Sequence, residues 1–405
     1  LAAHQLTVLV VIHSFLPLLA ATFAFPVQTP EVEIYSLVHI EIGPGTEELA
    51  QLASLGLDFS HMHVGGAHDQ GAVNRTLELV VGDDELAALR RGEWEAEVVI
   101  EDLATYYARR LSEGSTSFSG TTYGSWLNPP FASGAMSGYY GFTQVESVLD
   151  QIQAAYPNLM TPKVSLGQSH QGRDLWMVKI SDNPAVDENE PEVRFDAMHH
   201  AREPQGMQTS IWFMLWLLEE YGSDPLATYL VNEREIYFVP CANPDGYAYN
   251  QQGSPQGGGM WRKNRRNNGG GSFGVDLNRN YPFQWGIDNE GSSSDPNSDV
   301  YRGPSAASEP EIQAMTAFCN SRDFKTVLSI HTYGNWWLAP LGYVEAGPAN
   351  EADYNEVGAL ATEINGDPYG PASILLYLAN GTTLDYDHGV HQSMAWTPEI
   401  GNSSD

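Results

Sequence analysis

Residues 193–203 read VRFDAMHHARE, and residues 205–220 follow as QGMQTSIWFMLWLLEE. Val193–Met198 is a short apolar-rich run that predicts a strand, and Gln205–Glu220 is long enough and apolar enough for a helix packed on it. Working outward, Phe142, Val145, Val148, Leu149 and Ile152 fall at helical spacing, and Trp176–Ile180 is a strand. Beyond the opening stretch, Ile236–Pro240 is a strand, Glu309–Phe318 a helix and Thr326–Ile330 a strand. Strands alternating with helices predict an α/β domain, a mixed, mostly parallel sheet flanked by helices.

The N-terminal third has a different pattern. Residues 6–25, LTVLVVIHSFLPLLAATFAF, are apolar, interrupted by Pro17, and carry the small residues Ala20, Ala21 and Ala24. Such a run is short for a membrane span and reads as part of a secretory signal. Residues 33–42, 57–64, 75–82 and 96–100 read as strands, with helices at 47–55 and 83–89. That β-α-β-β-α-β order is ferredoxin-like. Residues 113–137, rich in Ser, Gly, Thr and Pro, form a linker. The chain therefore divides into a partial signal peptide (1–25), a small α+β unit (26–112), the linker (113–137) and a main domain (138–405).

With 405 residues and 42% hydrophobic content, the chain can build two packed units. Nineteen basic against 51 acidic residues give a net charge of -32, which argues against a nucleic-acid partner and suits solubility in salty surroundings. The two cysteines, Cys241 and Cys319, make no disulfide framework and read as buried free thiols. Nothing in the sequence demands more than a monomer.

His200 and Glu203 lie three apart at a strand's carboxyl end, where open α/β sheets place their sites. His331 ends the strand Val327–Ile330 in the same way. Two imidazoles and one carboxylate leave a coordination position open, which is the composition of a catalytic zinc site; the ligand set is a known one, shared by carboxypeptidase A. His199 alternates to the opposite side from His200. His388 and His391 lack strand placement and a third ligand. Four of the 19 basic residues fall in Trp261–Arg266, and Asp276-Leu277-Asn278-Arg279-Asn280 follows in the same polar stretch. Clustered arginines in so acidic a chain point to a carboxylate site. Glu399 ends the run Met394–Pro398, and a carboxylate there can deprotonate a zinc-bound water.

In order, HARE (200–203), NPDGY (243–247), WRKNR (261–265), GVDLNRNYPF (274–283), SEPE (308–311), SIHTYG (329–334), LANGTTLDY (378–386) and TPEIG (397–401) are present. The chain from about Tyr139 onward resembles the zinc metallocarboxypeptidases of the carboxypeptidase A/T type, in a form like bacterial secreted precursors. The resemblance implies one Zn2+ held by His200, Glu203 and His331, with Asp276 orienting His200. It implies that Arg262 stabilises the oxyanion and that Asn278 and Arg279 grip the substrate's terminal carboxylate, with Arg202 further out on the same anion path. Tyr377 would close over the substrate, and Glu399 would act as general base and then general acid. The specificity position corresponds to Leu384, in a wall shared with Leu338, Gly342, Ala372, Ala379 and Thr397. That composition implies apolar or aromatic C-terminal residues, unless neighbouring Asp385 turns inward.

The resemblance also implies peptide and protein C termini as substrates, and the small unit more loosely resembles the family's inhibitory pro-domain, so that an activating protease would cut within 109–137; Arg109-Arg110 reads equally as a dibasic cut and as a helix end favoured by the dipole. No membrane association is expected once the signal is removed. The chain stops six residues after Glu399, where the family continues through another helix, so a C-terminal truncation is expected. Two other readings stand beside this one. One is a non-catalytic peptide-binding module of the same fold. The other is a zinc peptidase or deacylase acting on cell-wall or acyl-amino-acid substrates.

Overall fold

The structure is a computed structural model that describes residues 34–43, 48, 51–52, 55, 57, 63–65, 75–92, 94–106, 134–136, 138–363 and 365–401. The signal reading, Arg109-Arg110 and most of the linker lie outside the described residues, as does much of the expected helix at 47–55.

The first element group is β1 (Tyr35–Ile42), β2 (His63–Gly65), β3 (Arg75–Gly82), α1 (Asp83–Arg91) and β4 (Ala96–Ile100). These strands form an antiparallel sheet in the order β2-β3-β1-β4, as the ferredoxin-like pattern requires. Val38, Ile40 and Ile42 alternate onto one face of β1 and pack with Leu77, Leu79, Val81, Leu86 and Leu89. Asp83, Asp84 and Glu85 open α1, and Arg90 and Arg91 close it, each matching the sign of the helix end beside it.

The main domain runs α2 (Phe142–Ala155), β5 (Val164–Gln168), β6 (Asp174–Ile180), β7 (Glu192–Ala197), α3 (Pro204–Glu219), α4 (Pro225–Asn232), β8 (Glu235–Val239) and α5 (Pro244–Gly253). After a small ribbon, β9 (Asn267–Gly269) with β10 (Ser272–Phe273), come α6 (Pro310–Asn320), β11 (Phe324–Ile330) and β12 (Trp336–Ala339). The last elements are α7 (Glu351–Ala361), β13 (Tyr369–Pro371), α8 (Ala372–Leu375), α9 (Thr383–His391) and β14 (Met394–Glu399).

Eight strands form a mixed sheet in the order β13-β12-β14-β11-β7-β8-β6-β5. Its centre, β14-β11-β7-β8, is parallel, whereas β6 joins β8 and β12 joins β14 in antiparallel sense. All five residues of β8 are buried. Ile236 and Phe238 face one apolar layer with Met207, Ile211 and Met214 of α3, while Tyr237 and Val239 face the other with Ile312, Met315 and Phe318 of α6. A strand covered on both faces loses its polar alternation.

Arg194 of β7 is wholly buried and is paired with Asp196 (2.8 Å) and with Asp387 of α9 (2.5 Å). Its ion pairs tie α9 to the sheet centre. Cys241 and Cys319 are free and buried. Burial pushes the Cys241 thiol up to about 12, so it packs as an apolar group.

Candidate active site

Three neighbouring parallel strands end side by side: β7, β11 and β14. Ala197 pairs with Ile330, so the residues just beyond them leave the sheet at one level. Met198 turns the chain there with a left-handed φ of 61°. His200 follows, and Glu203 sits at the N-terminal boundary of α3, with Pro204 as its first residue. His331 bridges to Glu399, its amide donating to the Pro398 carbonyl at 2.9 Å. The register of the sheet thus places His200, Glu203, His331 and Glu399 within one mouth. Helix α3 approaches closely because Gly206 lies over the Ile330 carbonyl; a Cβ there would meet that oxygen at 3.0 Å.

His200 Nδ1 is 2.6 Å from Glu203 Oε1, His331 Nδ1 is 2.9 Å from Glu203 Oε2, and the two Nδ1 atoms are 3.1 Å apart. All three residues are at most 1% exposed. Burial opposes the charge on Glu203, but His200 and His331 outweigh it and hold its pKa well below the usual range. Burial lowers the pKa of His331, favouring the neutral imidazole that binds metals. Two imidazole nitrogens and two carboxylate oxygens converging this closely in a buried site fit one divalent ion with nitrogen and oxygen ligands.

His200 Nε2 is 3.3 Å from Asp276 Oδ1, so the ring's outer nitrogen faces a carboxylate and its inner one faces the ligand cluster. Asp276 in turn holds Arg262, with Nη2 at 2.9 Å and Nε at 3.2 Å. Burial opposes ionisation of Asp276; Arg262, Arg279 and His200 outweigh it and keep its pKa well below normal. The Arg262 Nη1 end of the fork lies 4.0 Å from Glu203. A short turn, Leu277–Arg279, starts at Asp276, whose carboxylate accepts the Asn278 amide at 2.9 Å. Asn278 reaches toward His331 Nε2 (3.5 Å) and accepts from the Thr383 amide (2.9 Å). Arg279 Nη2 donates to the Tyr377 hydroxyl at 3.1 Å.

Asn278, Arg279, Tyr377, Leu384 and Glu399 line one pocket, together with Leu338, Gly342, Ala372, Ala379 and Thr397. Asp385 does not join them. Its carboxylate accepts the Gly342 amide (2.9 and 3.2 Å) and the Thr382 hydroxyl (3.1 Å), and burial raises its pKa to about 6. His199 lies outside the ligand group: it contacts the Tyr281 hydroxyl at 2.8 Å, and burial lowers its pKa to about 3. His388 pairs with Tyr354, and His391 meets Tyr386 edge-on, so neither faces the metal-type cluster.

Arg202 stands apart from the pocket. Its guanidinium lies 5.4 Å from the Tyr35 ring of β1 and 3.6 Å from Asp299, and the Tyr35 hydroxyl reaches Asp299 at 3.4 Å. Tyr377 also packs against the core of the small sheet. Tyr35 and Asp299 were missed in the sequence because their contacts join distant segments; the aromatic-against-Arg pairing could have been noticed only once β1 was placed over Arg202.

A buried His₂Glu cluster at the carboxyl ends of parallel strands, with a carboxylate and an arginine pair beside it, defines a metal-dependent hydrolase of the α/β class. A family model described as zinc carboxypeptidase matches residues 145–405. The zinc carboxypeptidase of Saccharothrix mutabilis subsp. capreolus is 34% identical over 81% of this chain and 77% of its own length. Carboxypeptidase A2 of Rattus norvegicus is 33% identical over 64% of this chain, which spans 62% of that relative. The solved carboxypeptidase A from Helicoverpa armigera superposes with a TM-score of 0.70 at 22% identity, covering 91% of this chain and 89% of its own, and so shares the fold. The chain belongs to the zinc carboxypeptidase family. It is a Zn2+-dependent hydrolase acting on peptide C termini.

Proposed function

We propose that this zinc carboxypeptidase prefers apolar and aromatic C-terminal residues, and that it is made as a secreted precursor whose small N-terminal sheet withholds the site until a protease cuts the connecting segment. The observation that carries the specificity reading is the pocket wall. Leu338, Ala372, Ala379, Leu384 and Thr397 present apolar surface, and the Asp385 carboxylate is directed at the Gly342 amide instead. A cationic side chain entering that wall would be desolvated without a partner. Secretion is supported by the apolar run at 6–25; among the described residues no helix is long and apolar enough to cross a membrane.

In this mechanism His200, Glu203 and His331 hold the zinc, which when bound polarises the scissile carbonyl and brings water's pKa toward neutrality. Arg279 presents its fork to the substrate's terminal carboxylate, and Asn278 adds a donor without adding charge. Tyr377, whose hydroxyl rests on Arg279, closes over the bound residue. Arg262 faces the developing oxyanion with its orientation set by Asp276. Glu399 takes a proton from the attacking water and delivers it to the leaving amine nitrogen.

Release of the last residue from blocked peptides ending in Phe or Arg, with and without a zinc chelator, tests this function. The expected result is chelator-sensitive release that is faster for Phe. Faster release of Arg would overturn the specificity reading.

A further inference from the structure

Asn264 is wholly buried and sits between the two segments that carry Arg262 and Asp276. Its amide N–H donates to the Val275 carbonyl at 3.0 Å, and its side-chain oxygen accepts from the Val275 amide at 2.8 Å and the Arg266 amide at 3.2 Å. Its side-chain nitrogen donates in the other direction, to Glu309 Oε2 (2.8 Å) and Glu311 Oε2 (3.3 Å) at the start of α6. Glu309 and Glu311 are both 0% exposed. One amide therefore joins the Arg262 segment, the Asp276 segment and a helix start. The Glu309 amide also donates to Asn280, the neighbour of Arg279, at 3.1 Å.

The charges around this amide are unequal. Glu309 is surrounded by Arg266 (2.9 Å), His170 (2.8 Å) and the Ser308 hydroxyl (2.6 Å), and it stays ionised. Glu311 Oε1 is buried with no hydrogen-bond partner. Burial, with Glu309 and Asp245 nearby, outweighs a hydrogen bond from its own backbone amide and the charge of His170, and raises the Glu311 pKa to about 7. His170, Glu309 and Glu311 bring ligand-type atoms within 4.8 Å of one another, but Arg266 already supplies a cation to this group. The cluster is a brace whose ionised Glu309 is already paired, not a second metal centre.

We propose that Asn264 is a positioning residue that sets the Arg262–Asp276 geometry, and that it does so only while its two carboxyl partners carry one negative charge between them. A second charge at Glu311 would add to those of Glu309 and Asp245 in a buried site, with His170 and Arg266 already engaged by Glu309, and would displace the shared amide. The inference rests on the oxyanion role given above to Arg262.

Asn264→Asp tests it on the zinc-loaded chain, because Asp keeps the acceptor to Val275 and puts a carboxylate oxygen where the donors to Glu309 and Glu311 were. The expected result is a kcat loss of about 10- to 100-fold, as for a small misplacement of a catalytic group, with KM and bound zinc unchanged. Adding Glu309→Gln should restore part of the loss, since amide and carboxylate then exchange places across the 2.8 Å contact. A merely structural brace would lower the melting temperature and leave the kcat of folded protein alone; that outcome overturns the proposal.

Arg262→Ala separates the two layers. If it leaves kcat intact, the oxyanion role fails and this inference falls with it. If it lowers kcat while Asn264→Asp does not, only the positioning inference fails. Should Asn264→Asp not fold, the single variant Glu311→Gln decides through pH. Its kcat relative to wild type should rise from about pH 6 to about pH 8.5 as Glu311 ionises in the wild type alone, and a flat ratio overturns the proposal.

Discussion

Glu399 stands at the end of β14, 5% exposed and on the wall of the pocket proposed to take substrate. Its place is fixed by backbone, through the bridge to His331, rather than by a long flexible tether. Replacing it with Gln keeps the shape and removes the base, so kcat should fall by about 100- to 10,000-fold, as for loss of a general base. Bound zinc should be unchanged; a variant that loses metal along with activity would place Glu399 among the ligands. Leu384→Asp tests the pocket wall in the same spirit. It adds an unpaired buried acid, which should lower kcat/KM for Phe-terminated peptides and raise it for Arg-terminated ones. Unchanged ranking of the two substrates would move the specificity position elsewhere.

These residues were legible in the sequence because His200 and His331 follow the ends of apolar strands, Glu203 opens the helix after the first of them and Glu399 ends a third strand. The turn of Asp385 onto Gly342 was not legible, because it depends on a backbone amide more than forty positions away.

At the scale of elements, the central strands were readable as short apolar runs, and the helices α2, α3 and α6 as longer ones. The edge of the sheet was not. β13 is three residues, Tyr369–Pro371, and β12 is four, too short for any period to show. Helix α5 was absorbed into the polar stretch because its start, Asn243-Pro244-Asp245-Gly246, reads as a turn; Asn243 accepts the Gly246 amide and makes it a helix start instead. The link from α9 to β7 was hidden for another reason: a buried ion pair leaves no periodic trace. Asp387 accepts from Arg194 through both carboxylate oxygens, at 3.2 and 2.5 Å. Asp387→Ala would leave Arg194 charged and partly unpartnered in the core, so unfolding in urea should show a loss of about 3–5 kcal/mol. Arg194→Met together with Asp196→Asn and Asp387→Leu should be milder, because no orphaned charge remains. Equal losses would mean that the pair acts through its own attraction.

For the whole molecule, the question is how the small sheet and the catalytic sheet act on each other. Met260 packs with Tyr35, Leu37, Val80 and Leu103 of the N-terminal unit, Tyr35 lies on Arg202, and Tyr377 touches the small sheet's core. Two of the residues assigned to substrate contact are therefore also contacts of the N-terminal unit. A peptide that used Arg202 for its anionic path, or that needed Tyr377 to swing over it, would compete with this packing. Binding of the small sheet and binding of substrate are then linked, and weakening one favours the other. Tyr35→Ala removes the ring from Arg202 and the hydroxyl from Asp299 without touching the catalytic residues. The uncut variant should show a raised kcat/KM that approaches the value reached by both proteins after a cut in residues 107–133. If uncut wild type and uncut Tyr35→Ala are equally active, and cutting adds nothing, the small sheet does not withhold the site. In that case its contacts with Arg202 and Tyr377 would have to be compatible with bound peptide, with Tyr377 already in its working position.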